Sequence, residues 1–491
     1  MLVRARNAPL VVDFTCMPVP EILSKFAPHI SRIRKLRLRG LSLHRPKSFR
    51  EICALEAPVL EHFELEVVTP YPPTFRQLGV TMLFGGWAPK LRTLTLSKVT
   101  IPWSLIPRGQ LTRLKMTHYR GVPTPSTLSP SDSNQLLDLL IHSPDLEDLV
   151  LEFCFPTVLQ AADGQTAHLP RLSRLCLGGS TSCVAGLLKV LQLPSSTTLH
   201  LQFIPENPST YNVNIVLPLV SAHFHNPAPV EFRSLRIATN SLNRLIDVAA
   251  STAHPESAVS GLHSLEDNTN SDAELTLSFD RPPSSGHPTH EDILEAVFSM
   301  LSISNIEFLS ISFPIFVPSV NWYELSQRCG KVATIRASGR GTSGLLGSLT
   351  PLKPTNTTSA SEGETGRCIN RATWLQGAIG AHAPITSFPK LTSLLLDNLD
   401  FGCAISRRRV LYDVFVCILR RRRANNMPLN MLRVDHCVIT PDRAKGLKRY
   451  VQELCWDGDE GHSLEEWDSD EGVSIDEWPD EVEESDEDGT S

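Results

Sequence analysis

A repeated pattern, L-x-x-L-x-L, constrains the fold of this 491-residue chain more than any other feature. Its clearest copies lie in HISRIRKLRLRGL, EAPVLEHFELEVV, WAPKLRTLTLSKV, HSPDLEDLVLEFC, HLPRLSRLCLGGS and SFPKLTSLLLDNL. Residues two apart on a strand point to the same side of a sheet, so each copy predicts a strand with one buried face. Because a single strand cannot bury that face alone, the copies predict neighbouring strands that share one core.

The apolar anchors of the copies recur through most of the chain. The clearest copies have the anchors Ile33, Leu36 and Leu38; Leu60, Phe63 and Leu65; Leu91, Leu94 and Leu96; Leu146, Leu149 and Leu151; Leu172, Leu175 and Leu177; and Leu391, Leu394 and Leu396. Weaker or partial copies have Leu111, Leu114 and Met116; Leu199 and Leu201; Phe232, Leu235 and Ile237; Leu275 and Leu277; Ile306, Leu309 and Ile311; Val332 and Ile335; and Leu429, Leu432 and Val434.

The segments between the copies predict helices. Parallel strands need crossover connections, which are usually helical. In SDSNQLLDLLIHSP, apolar residues including Leu136 and Leu140 share one helix face behind the candidate capping residues Ser131 to Ser133. SCVAGLLKVLQLP, HEDILEAVFSMLS and RRRVLYDVFVCILRRRR have the same periodicity. The sequence therefore predicts an α/β solenoid of strands and helices.

The copies resemble leucine-rich repeats. Cys154 and Cys437 stand three residues past the last anchor, where that motif has Asn or Cys, although most copies have another residue there. Copies recur on average about every 33 residues, compared with ~20–29 in regular leucine-rich repeats, so degenerate copies and inserts are expected. The resemblance implies parallel strands on a concave face, helices on a convex face and irregular repeats.

Four segments, RARNAPLVVDF, PHISRIRKLRL, SPDLEDLVLEF and WDGDEG, resemble the repeat region of fungal F-box-like leucine-rich-repeat proteins. The likeness covers about residues 4 to 465. This resemblance implies that the chain is the substrate-recognition half of a receptor for a cullin-based ubiquitin ligase. PVPEILSK resembles the start of an F-box, but Ile33 and Leu36 follow too soon for the rest of that module. We therefore expect a capping strand and a short helix, Pro20 to Phe26, within residues 1–30, followed by a solenoid over 31–456.

Composition predicts two insertions and a tail. The Gly/Ser/Thr-rich stretch near 338–388 predicts a mobile loop, and a second insertion is expected near 250–272. Residues 457–491 contain seventeen Asp and Glu and no Lys or Arg, whereas the rest of the chain has a net charge of +10. Such a block predicts a disordered acidic tail, either purely solubilising or docked on a basic surface of its own body or of a partner.

Catalytic, cofactor and metal sites are not expected. The sequence has no phosphate-binding loop, dinucleotide fingerprint, nucleophile elbow or H-E-x-x-H motif, and its eleven cysteines never form C-x-x-C. HFH, His223 to His225, places two imidazoles on one side of a possible strand, and a surface pair is favoured over a metal site. The chain is therefore predicted not to be an enzyme. Without a signal peptide or a span of ~18 apolar residues, it is predicted to be cytoplasmic or nuclear, with no membrane partner.

Residues between the anchors are expected to form the concave face and to bind a protein partner. They are Arg37, Arg39, Glu64, Glu66, Thr95, Ser97, Lys115, Thr117, Glu152, His200, Gln202, Asp397, Arg433 and Asp435, together with the apolar Val150. The sign of their charges changes along the face, which suits a partner of complementary charge.

Two other functions compete with this prediction. The clusters SRIRKLRLRG and ILRRRRANN favour phosphate contacts, but Arg420 to Arg423 close a helix, where cations are stabilised by the helix dipole, and no nucleic-acid module accompanies them. Nucleic-acid binding is therefore disfavoured. Protein recognition, resembling that of an F-box-like ubiquitin-ligase receptor with an adaptor implied by resemblance alone, is the prediction; a free-standing interaction scaffold unrelated to ubiquitin is the alternative.

Overall fold

A computed structural model of the chain describes residues 8–14, 20–41, 47–68, 80, 82–99, 101–107, 110–118, 130–154, 165–205, 212–225, 229–239, 245–253, 273–280, 290–314, 322–349, 387–406 and 409–458. These residues form a mixed α/β structure built on a sixteen-stranded, mostly parallel sheet. The predicted α/β class is confirmed.

The strands follow the repeat copies. Those of the large sheet are β1 (Leu10–Phe14), β2 (Ile33–Leu41), β3 (His62–Val67), β4 (Thr93–Ser97), β5 (Arg113–Thr117), β6 (Asp148–Glu152), β8 (Arg174–Ser180), β10 (Thr198–Ile204), β11 (Ser234–Thr239), β12 (Leu245–Ser251), β13 (Leu275–Asp280), β14 (Phe308–Ser312), β15 (Thr334–Ser338), β16 (Ser393–Asp397), β19 (Leu429–Asp435) and β20 (Val451–Trp456). Two small sheets pair β7 (Ala167–His168) with β9 (Leu191–Gln192) and β17 (Ala404–Ser406) with β18 (Arg409–Val410).

The order of strands in the large sheet is sequential except at its centre. From β1 to β10 each strand pairs in parallel with the next, and the same holds from β14 to β20. Between them the order is β10-β13-β12-β11-β14, and β12 runs antiparallel to both of its neighbours. The copies at β10, β13, β11 and β14 all run in the same direction, as expected, but β12, which is not a copy, enters between β13 and β11. It is antiparallel because the short link after β11 does not allow the crossover that a parallel partner needs.

Helices connect many of the strands. The α-helices are α1 (Pro20–Phe26), α2 (Lys47–Cys53), α3 (Pro130–Ile141), α4 (Thr181–Val190), α5 (Leu217–His225), α6 (His290–Met300), α7 (Trp322–Arg328), α8 (Ser343–Ser348), α9 (Leu411–Ala424) and α10 (Pro441–Leu447). Short 3-10 helices cover Ala27–Arg32, Leu83–Gly86, Trp103–Leu105, Val213–Ile215 and Arg340–Thr342.

The core is one apolar cluster that runs the length of the sheet. Every predicted anchor belongs to it, and the strand anchors Leu94 and Leu149 are fully buried. Helical residues such as Leu136 and Leu140 pack in the same cluster, so helices cover the sheet face onto which the anchors point. Burial alternates along strands such as β3 and β4, as expected when one face is packed and the other is polar.

Several boundaries differ from the sequence-based prediction. α1 spans the expected Pro20–Phe26, but α3 begins at Pro130, so Ser131 to Ser133 lie inside the helix rather than before it. The predicted loop near 338–388 starts with a 3-10 turn and α8, because Leu345 and Leu346 are buried in the core. Residues 350–386 and 254–272 lie outside the described residues.

Candidate functional site

The polar face of the large sheet brings the predicted binding residues together. The register places Arg37 beside Glu64, Glu64 beside Thr95, and Thr95 beside Lys115. This row lies between the second and third anchors of each copy and continues through Val150, Cys176 and His200. It reaches Arg433 by way of Thr276, Ala249, Arg236, Ser310, Arg336 and Leu395. A parallel row two residues on contains Glu66, Ser97, Thr117, Glu152, Gln202, Asp397 and Asp435. We call the two rows the sheet face.

At the N-terminal end of the sheet face, acidic and basic side chains are paired across strands. Glu64 accepts from Arg37 Nε at 3.1 Å and from Arg39 Nε at 2.6 Å, and Arg37 Nη1 also lies 3.1 Å from Asp13 Oδ2. Glu66 Oε1 lies 3.2 Å from Lys98 Nζ. These side chains are partly exposed, so the pairs add little stability, but they fix where each charge is presented.

Lys115 carries an exposed positive charge on β5. It lies between the buried anchors Leu114 and Met116 of β5, and Arg113 precedes it on the same face. Both cations are exposed, and no carboxylate among the described residues forms an ion pair with either. The sheet face therefore presents a free positive charge here, one row away from the row that contains Glu66 and Glu152.

In the middle of the sheet face, Cys176 and His200 are register partners on β8 and β10. Cys176 Sγ donates to Glu152 Oε1 at 3.3 Å, and burial, together with Glu152, raises the pKa of this thiol to about 12. Burial and the nearby Arg174 lower the pKa of His200. A protonated thiol is a poor nucleophile, so this Cys/His neighbourhood favours contact over covalent chemistry.

Near the C-terminal end, Asp397 organises a charged cluster. Its carboxylate lies 3.0 Å from Arg336 Nη2 and 3.1 Å from His436 Nδ1, and its side chain is only 7% exposed. The sequence pattern predicts Asp397 as a contact residue, but its side chain is buried beside Arg336 and His436. Arg433 Nε lies 2.6 Å from Asp435 Oδ2.

Two residues of this cluster were missed by the sequence pattern. Arg336 lies on β15 between Ile335 and Ala337, and its copy was only partly recognised because a small alanine fills the place of the third leucine. His436 follows β19 with a positive φ of 50°, outside the strand pattern altogether. Its backbone N–H donates to Asp457 Oδ2 at 2.6 Å, which ties the first residue of the predicted tail to the fold.

The HFH segment lies on a helix, which corrects the strand interpretation. His225 ends α5, where its Nδ1 lies 2.6 Å from the Ser221 carbonyl, and His223 Nε2 lies 3.2 Å from the Thr197 carbonyl. Residues two apart on a helix do not share a face. In the part of the chain that the structure describes, no group of three or more His, Cys, Asp or Glu side chains is placed to hold a metal ion.

The fold and the sheet face together define an α/β protein with a long polar surface. No known protein-family model matches the chain, and no curated protein matches it. Within the described residues, helices long and apolar enough to cross a bilayer are not found. The sheet face is the largest organised polar surface described above, and its residues are the candidates for function.

Proposed function

We propose that the chain is a leucine-rich-repeat solenoid that recognises a protein partner through its sheet face. The supporting observation is the shared register of successive copies, in which Leu36, Phe63, Leu94 and Leu114 are neighbours and the residues after them form one continuous row. Repeats stacked in this way build one extended surface from many short strands.

The charges on the sheet face favour a protein over a polyanion. Glu64, Glu66 and Glu152 lie on the same face as the cations, so a phosphate backbone would meet repulsion at several strands. A partner with its own mixture of charges fits such a surface, and complementary charges set its specificity and orientation more than its affinity. In this proposal the protein acts by binding a partner and is not an enzyme.

The link to ubiquitin is proposed from the resemblance to fungal F-box-like leucine-rich-repeat proteins. In this proposal the chain is the recognition part of a cytoplasmic or nuclear ubiquitin-ligase receptor, and the sheet face binds the client. A free-standing scaffold would use the same face and the same contacts without an adaptor. The two functions differ in what else is bound, so one experiment separates them.

The test is affinity purification of the tagged full chain from its native cells, compared with two charge-reversal variants. Lys115→Glu changes an exposed cation on the sheet face, and Lys189→Glu changes an exposed cation on α4 as a matched control. We expect the client to be retained by wild type and by the control, and at least tenfold less by Lys115→Glu, a loss of about 1.4 kcal/mol. Equal retention by both variants would refute recognition through this part of the face.

The same purification separates the two proposals. If an F-box adaptor and a cullin are retained with the client, the ubiquitin-ligase function is supported. If a client is retained in a manner that depends on Lys115 and neither ligase component is present, the chain is a scaffold.

A further inference from the structure

The C-terminal helices carry a strongly basic surface on the side opposite to the sheet face. Its members are the exposed Arg420, Arg421 and Arg423 of α9, Arg443 and Lys445 of α10, and Lys448 and Arg449 just after it. We call these seven residues the basic patch. Exposed acids in the segment 411–450 are restricted to Asp413 and Asp442, so the patch has a large positive excess.

Direct contacts make the basic patch one continuous surface. Arg420 Nη2 donates to the Tyr450 hydroxyl at 3.3 Å, and its guanidinium lies 5.9 Å from the centre of that ring. Arg423 Nη1 donates to the Arg449 carbonyl at 2.5 Å. At the other end of α9, the Arg443 guanidinium lies 5.1 Å from the centre of the Tyr412 ring. α9 therefore lies along α10 and the segment that follows it.

The cations of the basic patch differ from those of the sheet face in how they are paired with carboxylates. On the sheet face most cations pair with carboxylates, as Arg37 and Arg336 do. No carboxylate of the described residues forms an ion pair with any of the seven patch cations. Seven like charges within a few helical turns repel one another, so binding of a polyanion would reduce this electrostatic repulsion.

The same chain supplies a polyanion. Residues 459–491 contain sixteen Asp and Glu and no Lys or Arg, and they follow Asp457, which is held by the His436 backbone. β20 separates Tyr450 from Asp457 by a distance of roughly 20 Å, whereas 33 residues span up to roughly 100 Å when extended. A tethered segment also has an effective concentration on the order of millimolar, which favours it over free anions.

We infer that residues 459–491 bind the basic patch of their own chain. The interaction covers the helices at the C-terminal end and leaves the sheet face open, so it is separate from the proposed recognition of a client. The bound tail therefore blocks nucleic acids and other polyanions from the basic patch without blocking a client from the sheet face. Neutral tail variants would then acquire a polyanion affinity that the full chain lacks.

Carbodiimide cross-linking of the full chain tests the contact directly, because this reagent joins carboxylates to lysine amines that touch. We expect cross-links from residues 459–491 to Lys445 and Lys448 within monomers at low salt, at least fivefold above those to the exposed Lys189 of α4. They should fall at least fivefold at about 0.5 M NaCl, where the Debye length is only a few ångströms. The triple variant R420E/R421E/R423E, checked for retained secondary structure, should lose them too.

A second measurement, of heparin binding, tests whether the tail or an external polyanion occupies the basic patch. A full-length variant with the acids of residues 465–488 changed to Asn and Gln should bind heparin at least tenfold more tightly than wild type. Cross-links found only between molecules would assign the tail to a second copy and overturn the inference. Tail cross-links to Lys189 as frequent as those to Lys445, or equal heparin binding by wild type and the variant, would also overturn it.

Discussion

At the scale of single residues, Arg422 shows how position decides the role of a charge. Three of the four arginines that end α9 are exposed, as expected for cations at a helix C-terminus, but the Arg422 side chain is buried. Its guanidinium donates to the carbonyls of Ser387, Phe388 and Leu391 at 3.1–3.3 Å, and burial lowers its pKa to about 10. It stays charged at neutral pH and joins α9 to the segment that precedes β16.

The first prediction follows from these three bonds. Arg422→Met would leave the carbonyls of the segment before β16 without their donor, and we expect a loss of about 2–3 kcal/mol of stability. Arg421→Met, at the neighbouring exposed position, should change it by no more than about 0.5 kcal/mol. Urea unfolding followed by circular dichroism compares the midpoints. Equal midpoints for the two variants would show that the buried guanidinium contributes nothing.

The second prediction concerns pH and His436. The hydrogen bond with Asp397 raises the pKa of His436 in the folded state above its ordinary value. Stability from this contact is therefore fully present below the unfolded pKa of about 6.5 and is lost as pH rises through the higher folded pKa. We expect wild type to melt at a higher temperature than His436→Gln at about pH 5, with the difference gone near pH 9. A difference that grows with pH would contradict the assigned contact.

At the scale of elements, the anchors determine which face of each strand is buried. Leu94 is fully buried in β4, and the next residue, Thr95, lies on the sheet face. We expect Leu94→Ala to cost about 2–5 kcal/mol through lost burial and a cavity, and Thr95→Ala to cost less than about 1 kcal/mol. Thermal unfolding of both variants checks this pair. Comparable losses would mean that β4 is not oriented by its leucines.

The sequence pattern predicted strands well where all three anchors are large and apolar, because burial of alternate residues then has one solution. It missed β12, which has the run LIDVAAS rather than L-x-x-L-x-L and enters the sheet from the opposite direction. It also missed Arg336, whose third anchor is Ala337. The sheet-face rows followed from the repeat alone, but the burial of Asp397 depends on Arg336 and His436, which come from separate parts of the sequence. Such contacts between distant segments have no periodic signal.

At the scale of the whole molecule, the proposed solenoid makes each strand depend mainly on its neighbours. In stacked repeats, stability is approximately the sum of each unit and its two interfaces, so a local defect weakens nearby units first. A single cooperative core would instead transmit the loss to every strand. The sheet spans from β1 at one edge to β20 at the other, which gives enough separation to distinguish these two cases.

Hydrogen exchange of Leu94→Ala and Leu432→Ala measures that separation. Both leucines are fully buried anchors, one in β4 and one in β19. We expect Leu94→Ala to speed amide exchange in β3 to β5 at least tenfold while β16 and β19 exchange as in wild type, and Leu432→Ala to show the reverse distribution. Uniform acceleration in both variants would contradict nearest-neighbour stacking, because it would require opening of the whole sheet at once. Opposite, local distributions would support the repeat architecture on which the proposed recognition surface depends.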